Sequence, residues 1–485
     1  MSASATPGLR PVHWLLLLLS GVAYAALAYA VPRQDFGLLL GLLGVAFLAY
    51  AGLWRTGLPL RAGLGAALVL RLLWLPALPA LSDDYHRFRW DGLLVANGVN
   101  PYQYRPDAFT LPNIPSKPKI ATGLANNNLA PLSPRHLLPT AVLAQLATEY
   151  PLLNSPHYYS VYPPVCQAVF GVAAWLFPTD GRATVLLMRL VLLAAEIGTG
   201  WLLVSLLRAF GQDARRALLY LLNPLVLVEL TGNLHFEALV IFLLLLMLWL
   251  LRRGRVAGGG VALGLAVATK FLPLLVLPLL LRRLGWRRFL VLMAGMGATL
   301  AVVFAPFVSQ ELFINIGKSL NLYFRSFEFN ASVYYVLRAL GQWQTGYNEI
   351  ARIGPALALL TAVGGLLLAA REKQPTWPTL PRRLLLLLTL YYLLATTVHP
   401  WYLTPLVALS VFTQFRYALV WSGLAVLSYA AYQTSAYTEN LWLVGLEYGV
   451  VLACLLRELR QASRNNHLLE ATESGEAEAA GALGQ

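Results

Sequence analysis

The sequence predicts an all-α, polytopic membrane protein with about 11 to 13 membrane-spanning helices, at roughly 20 residues for each span. Hydrophobic residues make up 58% of the 485 residues and charged residues only 12%. A soluble domain averages about 25% charged residues. Apolar runs with the length of spanning helices occur at 14–31, 36–54, 185–207 and 236–251. Together these observations favour a bundle of helices embedded in lipid.

The formal net charge of +14 does not indicate a nucleic-acid partner. The arginines fall mainly in short loops between apolar runs, which is the pattern that orients a membrane protein. The basic loops at 208–216, 252–255, 282–288 and 371–383 are therefore predicted to face the cytoplasm of a plasma (inner) membrane. Arg10 and the pair Ala28 and Ala30 allow a cleaved signal peptide, but the apolar segments that follow favour an uncleaved first helix.

The alternation of apolar and polar segments divides the chain into four parts. We expect N-terminal membrane helices at 1–81, an extracytoplasmic loop at 82–162, a membrane bundle at 163–457 and a disordered cytoplasmic tail at 458–485. The loop contains a Pro-rich stretch at 112–118, the Asn run 126–128, and a helical pattern at 134–150 that suits the membrane interface. Loops of this length in a compact protein are usually functional.

Two apolar segments are too short or too interrupted for simple spans. Segment 163–178 starts with two prolines and is predicted not to cross the membrane fully. Segment 257–281 is interrupted at 270–273, so two half-length helices with Lys270 near the turn fit it. Lys270 is either a functional cation or a lysine whose amine simply reaches the membrane surface.

A charged cluster follows the third apolar run, where the chain should emerge into water. Residues 82–91 read Ser-Asp-Asp-Tyr-His-Arg-Phe-Arg-Trp-Asp. Because charges are costly in lipid, such a cluster at the end of a membrane helix favours a functional site. Its carboxylates are candidate general bases and its cations are candidate phosphate ligands: Asp83, Asp84, Asp91, His86, Arg87 and Arg89. Asp84 and Asp91 are two helical turns apart and share one face. Charge pairing that is purely structural remains the alternative.

Three further polar motifs fall on the same predicted side as this loop. They are Asn-Leu-His-Phe-Glu at 233–237, the segment 321–330 with Arg325, and His-Pro-Trp-Tyr at 399–402. His399 and the two aromatics could contact a sugar or a phosphate. Taken singly, Pro400 could only end a helix, and Trp401 and Tyr402 could form an interfacial aromatic belt. Cys166 and Cys454 lie in apolar segments without metal-ligand spacing, so neither a metal nor a cofactor is predicted.

The ordered set of motifs resembles the GT-C superfamily of integral-membrane glycosyltransferases. More narrowly, it is similar to bacterial mannosyltransferases of the glycosyltransferase 87 and PIG-M-like type that depend on polyprenyl-phosphate mannose. The matching stretches are 82–92, 98–102, 154–164, 223–238, 270–273 and 399–402. The adjacent pair Asp83 and Asp84 departs from the Asp-x-Asp spacing of some relatives, and this also argues against a metal.

The resemblance implies a GT-C-type bundle with a large outer loop that carries short interfacial helices. It implies an inverting hexosyltransferase, with mannose favoured, that uses a polyprenyl-phosphate sugar donor and a glycan or lipid hydroxyl acceptor outside the membrane. Asp84 would be the general base, with Asp83 and then Asp91 in reserve. Donor and substrate contacts would come from the polar residues of the matched motifs and loops: His86, Arg87, Arg89, Tyr162, His235, Glu237, Lys270, Arg325, His399 and Tyr402.

Two other protein classes fit a polytopic chain with these charges. A transporter or flippase of lipid-linked sugars would carry charges along a path through the membrane and often contains internal repeats. No clear repeat is present in this sequence. A structural subunit would use the aromatic-rich outer loop for docking. The enzyme alone should lose its activity on Asp84→Asn while staying folded.

Overall fold

The computed structural model describes residues 8–109, 134–434 and 437–482, with side chains except those of 320, 322–324 and 465–482. Within these ranges the chain is helical, and its one β-type pairing is a bridge between Phe329 and Thr397. The predicted class of an all-helical, polytopic membrane protein is confirmed. The Pro-rich stretch 112–118 and the Asn run 126–128 lie outside the described residues.

Within the described ranges, the α-helices follow one another in this order along the chain. The first seven are α1 (Pro11–Tyr29), α2 (Phe36–Arg55), α3 (Leu60–Leu72), α4 (Asp84–Ala96), α5 (Thr140–Glu149), α6 (Pro164–Leu176) and α7 (Gly181–Ala209). The next six are α8 (Leu218–Leu221), α9 (Pro224–Val226), α10 (Glu237–Arg252), α11 (Val256–Val267), α12 (Leu277–Phe304) and α13 (Gln310–Arg325). The last six are α14 (Val333–Thr345), α15 (Ile350–Ala370), α16 (Leu380–Leu394), α17 (Thr404–Ser410), α18 (Tyr417–Leu424) and α19 (Leu441–Ala482).

Several helices of the bundle have the length and apolarity to span a membrane singly. In the described part of the chain, five are long and apolar enough: Pro11–Tyr29, Phe36–Arg55, Gly181–Ala209, Leu272–Phe307 and Ile350–Ala370. A sixth would be the pair Pro224–Gly232 and Glu237–Arg252, which is bent by 110°. Other apolar segments form shorter helices, such as Pro164–Leu176, because prolines and polar motifs interrupt them.

The segment after residue 255 forms two half-length helices, as its interrupted pattern predicts. α11 ends at Val267, Lys270 lies in the turn, and the chain returns through a short 3₁₀ turn into α12. Gly285 breaks α12 with φ 68°. Small residues let α11 lie against the second half of α12: a Cβ on Gly260 would be 2.3 Å from the Leu292 carbonyl oxygen.

α4 packs closely on α6 and thereby fixes the charged cluster on the bundle. A Cβ on Gly92 would lie 2.4 Å from the Phe170 carbonyl oxygen, so only glycine permits this approach. The other side of α4 buries Trp90 and Leu94 against α5, where they form a small apolar core with Leu146. The described helices of the segment 82–162 therefore pack on one another around α4.

The C-terminal helix α19 extends from Leu441 to Ala482. The alanines and glutamates of its last part have high helix propensity. The division of the chain into four parts, with a disordered cytoplasmic tail at 458–485, stays a prediction.

Candidate functional site

The first turn of α4 holds two adjacent carboxylates with different partners. Asp83 precedes the helix and forms an ion pair of 2.6 Å with Arg33, which lies in the α1–α2 connection. Asp84 is the first residue of α4, and Asn154 Nδ2 donates to its Oδ1 at 2.9 Å. Asp84 is partly exposed. The helix dipole favours a negative charge at this position.

Asp91, two turns further along α4, is completely buried. Its carboxylate accepts hydrogen bonds from Arg87 Nε at 2.9 Å, Ser160 Oγ at 2.5 Å and Gln167 Nε2 at 3.0 Å. Arg87 also donates to the carbonyl oxygens of residues 155 and 158. Asp91 thus holds the end of the outer loop on α4 and α6. Asp84 and Asp91 both contact the segment 154–160, in agreement with a shared helix face.

The other two cations of α4 share one carboxylate that sequence reasoning missed. His86 Nδ1 lies 2.8 Å from Glu149 Oε2, and Arg89 pairs with the other oxygen of Glu149. Glu149 is buried at the end of α5, 60 residues from Arg89. No local pattern marks it, because the partners meet only after α5 has packed on α4. These pairs join the two helices.

A second polar group lies where the chain breaks between α9 and α10. A π-helical turn covers Leu227–Gly232, and Leu234 has a φ of 64°, so the backbone reverses before α10 starts. Glu229 accepts a hydrogen bond from the Tyr429 hydroxyl and another of 3.3 Å from Asn233 Nδ2. His235 Nε2 is 3.1 Å from Glu229 Oε2 at an angle that makes no hydrogen bond. Irregular backbone at membrane depth is tolerated where it packs in protein or lines a cavity.

Trp401 stacks between two imidazoles at this break. The ring centroids of His235 and Trp401 are 3.8 Å apart, and those of His399 and Trp401 are 4.4 Å apart. Phe329 covers the other face of His399 at 4.8 Å. The backbone amide of Phe329 donates to the Thr396 carbonyl at 3.0 Å, and this bond holds Phe329 beside the residues that precede His399. Burial, with His235 and Lys270 nearby, lowers the pKa of His399 to about 3, so its ring is neutral at physiological pH.

Lys270 adds the most accessible cation of this group. Its amine pairs with Glu237 and lies 3.7 Å from the centre of the Tyr402 ring, and its side chain is 31% exposed. We call the side chains of Glu229, His235, Glu237, Lys270, His399, Trp401 and Tyr402 the broken-helix cluster. Its members come from three separate stretches of the chain, 229–237, 270 and 399–402.

Contacts connect the broken-helix cluster with the start of α4. The Leu81 amide donates to Asn233 Oδ1 at 3.2 Å. Arg33, which pairs with Asp83 beside Asp84, lies 5.4 Å from the centre of the Tyr432 ring. The same Tyr432 ring is 6.1 Å from that of Phe329, which covers His399. The two groups therefore border one region of the protein.

Two predicted site residues lie at the edge of this arrangement. The Tyr162 ring packs edge-on against Phe88 at 4.9 Å and lines the aromatic core beneath α4. Arg325 is exposed at the end of α13, and none of the described contacts joins it to α4 or to the broken-helix cluster. Within the described ranges, no group of three or more His, Cys, Asp and Glu side chains could hold a metal ion.

Two comparisons with known proteins agree with one another. Residues 156–285 match a family described as alpha-(1→6)-mannopyranosyltransferase, N-terminal domain. Over 291 residues the chain is 25% identical to alpha-(1→6)-mannopyranosyltransferase A of Mycobacterium tuberculosis. That match covers 57% of this chain and 49% of the relative, about half of its length. Both findings support the resemblance to GT-C-type mannosyltransferases. The family match includes His235 and Lys270 but begins after Asp84 in the chain.

Proposed function

We propose that this membrane protein is a mannosyltransferase that moves mannose from a polyprenyl-phosphate donor to a hydroxyl of a glycan or lipid acceptor. One observation carries the proposal: the partly exposed carboxylate of Asp84 borders the same region as the cations and aromatics of the broken-helix cluster. The name of the Mycobacterium tuberculosis relative favours mannose as the sugar and an alpha-(1→6) linkage as the product.

Asp84 would serve as the general base. Its carboxylate accepts the proton of the acceptor hydroxyl while the hydroxyl oxygen forms a bond to the anomeric carbon. The bond from that carbon to the phosphate oxygen breaks on the opposite face, so the configuration inverts. Polyprenyl phosphate leaves with the electron pair and needs no general acid. A positioned base contributes about 10²- to 10⁴-fold to such a rate.

Lys270 is the best-supported partner for the leaving phosphate. It combines a positive charge with partial exposure, whereas His235 is buried beside Glu229. His399 would be a neutral hydrogen-bond donor, because its pKa is lowered to about 3 by burial. Fixed positive groups near a developing anion are often the largest contribution to catalysis. Tyr402 and Glu237 would hold the Lys270 amine in place.

The remaining candidates on α4 have internal partners that point to support roles. Asp83 is paired with Arg33, and Asp91 is buried with three donors. His86 and Arg89 are bound to Glu149, and Arg87 to Asp91. We therefore assign the phosphate contact to the broken-helix cluster rather than to the cations of α4.

The extracytoplasmic face of a plasma membrane is the proposed location of the site. Basic loops that should share the cytoplasmic side do meet in the fold. Arg283, which precedes the break in α12 at Gly285, pairs with Glu372 at 2.6 Å, and Arg282 donates to the Glu372 carbonyl. This grouping supports the orientation that the positive charges predict.

The test is sugar transfer by purified protein in detergent with EDTA. Short-chain polyprenyl-phosphate mannose would be compared with the glucose and arabinose analogues, with a mixed glycan and glycolipid extract as acceptor. Transfer of mannose above the other sugars is expected. The absence of transfer from every donor, together with donor translocation by the same protein in liposomes, would replace the proposal with the flippase.

A further inference from the structure

Arg189 is a fully buried arginine of α7 that the proposed reaction does not use. Its guanidinium donates to four backbone carbonyls. Nη1 donates to the oxygens of Leu75 at 2.9 Å and Ala77 at 2.5 Å. Nε donates to Thr231 at 2.8 Å, and Nη2 donates to Gly232 at 3.0 Å.

The four carbonyls belong to two irregular connections. One is 73–83, which leads from α3 to Asp84 at the start of α4. The other is 231–236, which carries His235 across the break between the π-helical turn and α10. Carbonyls outside regular helices need partners when water is excluded, because an unsatisfied buried polar group costs about 1 to 3 kcal/mol. Arg189 supplies these partners to both connections at once.

The contacts suit a guanidinium and no other side chain. Arginine has five N–H donors in a rigid plane, whereas lysine has three donors on one atom. None of the described carboxylates lies within ion-pair distance of Arg189, so carbonyl contacts take the place of an acidic partner. Gly232 also packs tightly on Trp74: an added Cβ would lie 2.8 Å from the Trp74 ring.

We infer that Arg189 is a positioning residue that sets the place of Asp84 relative to the broken-helix cluster. This inference rests on the proposed function for its effect on turnover, and on the fold alone for its effect on structure. The hydrogen bond from the Leu81 amide to Asn233 Oδ1 is a second link between the same two connections, in addition to the contacts of Arg189. A misplacement of about 1 Å between reacting groups can cost on the order of a hundredfold in rate.

Arg189→Lys is the informative substitution, because it keeps the positive charge and removes the planar set of five N–H donors. The matched control is Arg71→Lys. Arg71 is also a buried arginine of the bundle, but its guanidinium pairs with Glu196 at 2.7 Å and donates to the carbonyls of Ala67 and Leu221, not to a carbonyl of either connection. Hydrogen–deuterium exchange should rise together in 73–83 and 231–236 of Arg189→Lys, by about tenfold or more, and should stay at wild-type rates there in Arg71→Lys.

Turnover gives the second readout. In Arg189→Lys, kcat per folded molecule should fall at least about tenfold while the KM for polyprenyl-phosphate mannose changes little. A loss of folded protein alone would lower the yield and leave kcat per folded molecule unchanged. Arg71→Lys should keep the wild-type kcat even if it is less stable.

The outcomes separate this inference from the proposed function. If wild type transfers no sugar, the proposed function fails and the exchange data still decide whether Arg189 links the connections. Exchange that rises in one connection only, or a wild-type kcat in Arg189→Lys, would overturn the inference. Arg189→Gln provides a neutral second variant. If neither variant folds while Arg71→Lys does, Arg189 is purely structural and the inference is wrong.

Discussion

Asp84 and Asp91 occupy the same face of α4, two turns apart, and the fold gives them different surroundings. Asp84 is partly exposed with one donor from Asn154, whereas Asp91 is completely buried with three donors. A carboxylate whose lone pairs are taken by fixed donors is poorly placed to accept a substrate proton. Burial and partners, rather than position along the helix, therefore distinguish a reacting carboxylate from a structural one.

Asp84→Asn should have the largest effect on sugar transfer. The amide keeps the size of the side chain and can still accept from Asn154, but it cannot take a proton from the acceptor. We expect turnover per folded molecule to fall about 10³-fold, within the range for loss of a general base. The measurement is initial transfer rate in detergent, normalised to monodisperse protein. Unchanged turnover would move the base to another carboxylate.

Asp91→Asn should act on stability instead. The substitution leaves the buried Arg87 cation without its carboxylate, and breaking such a pair costs about 3 to 5 kcal/mol. Thermal unfolding in detergent should occur at a clearly lower temperature, while turnover of the folded fraction stays near that of wild type. A variant as stable as wild type but inactive would contradict the structural role of Asp91.

Asn154→Ala tests the partner that orients Asp84. Removing one hydrogen bond to a charged group costs about 1.5 to 3 kcal/mol, but Asp84 is partly exposed and water can replace the lost donor. We therefore expect roughly a tenfold lower kcat with little change in melting temperature. Equal kcat in the variant and wild type would show that Asn154 does not position the base.

Asp83→Asn should have the smallest effect. The Asp83–Arg33 pair is partly exposed, with side chains 35% and 19% accessible, and pairs of this kind are worth about 0 to 1 kcal/mol. Turnover and melting temperature should both stay close to wild type. Because the residue is adjacent to Asp84, this variant is also the matched control for Asp84→Asn. A large loss of turnover here would make Asp83 the base.

Local patterns predicted much of this arrangement. Composition and apolar runs predicted the all-helical membrane fold, and the seven-residue spacing predicted the common face of Asp84 and Asp91. The interruption at 270–273 predicted two half-length helices with Lys270 near their turn, as observed. These properties depend on the chemistry of neighbouring residues, so a single sequence contains them.

Long-range partners could not be predicted in the same way. Glu149 binds both His86 and Arg89, although it is 63 residues from His86 and 60 residues from Arg89 along the chain. The stack of His235, Trp401 and His399 joins stretches from different halves of the chain. The phosphate role predicted for the basic residues of α4 stays a prediction, with purely structural charge pairing as its alternative. The positions of Glu149 and of the three stacked rings follow from tertiary packing, which no local periodicity encodes.

The most direct measurement compares Asp84→Asn with Asp91→Asn in the same experiment. Transfer of mannose from polyprenyl-phosphate mannose would be measured in a single turnover and normalised to folded protein, with the melting temperature recorded for each. The proposed mechanism predicts a stable, inactive Asp84→Asn and a destabilised, active Asp91→Asn. A stable and active Asp84→Asn would contradict it.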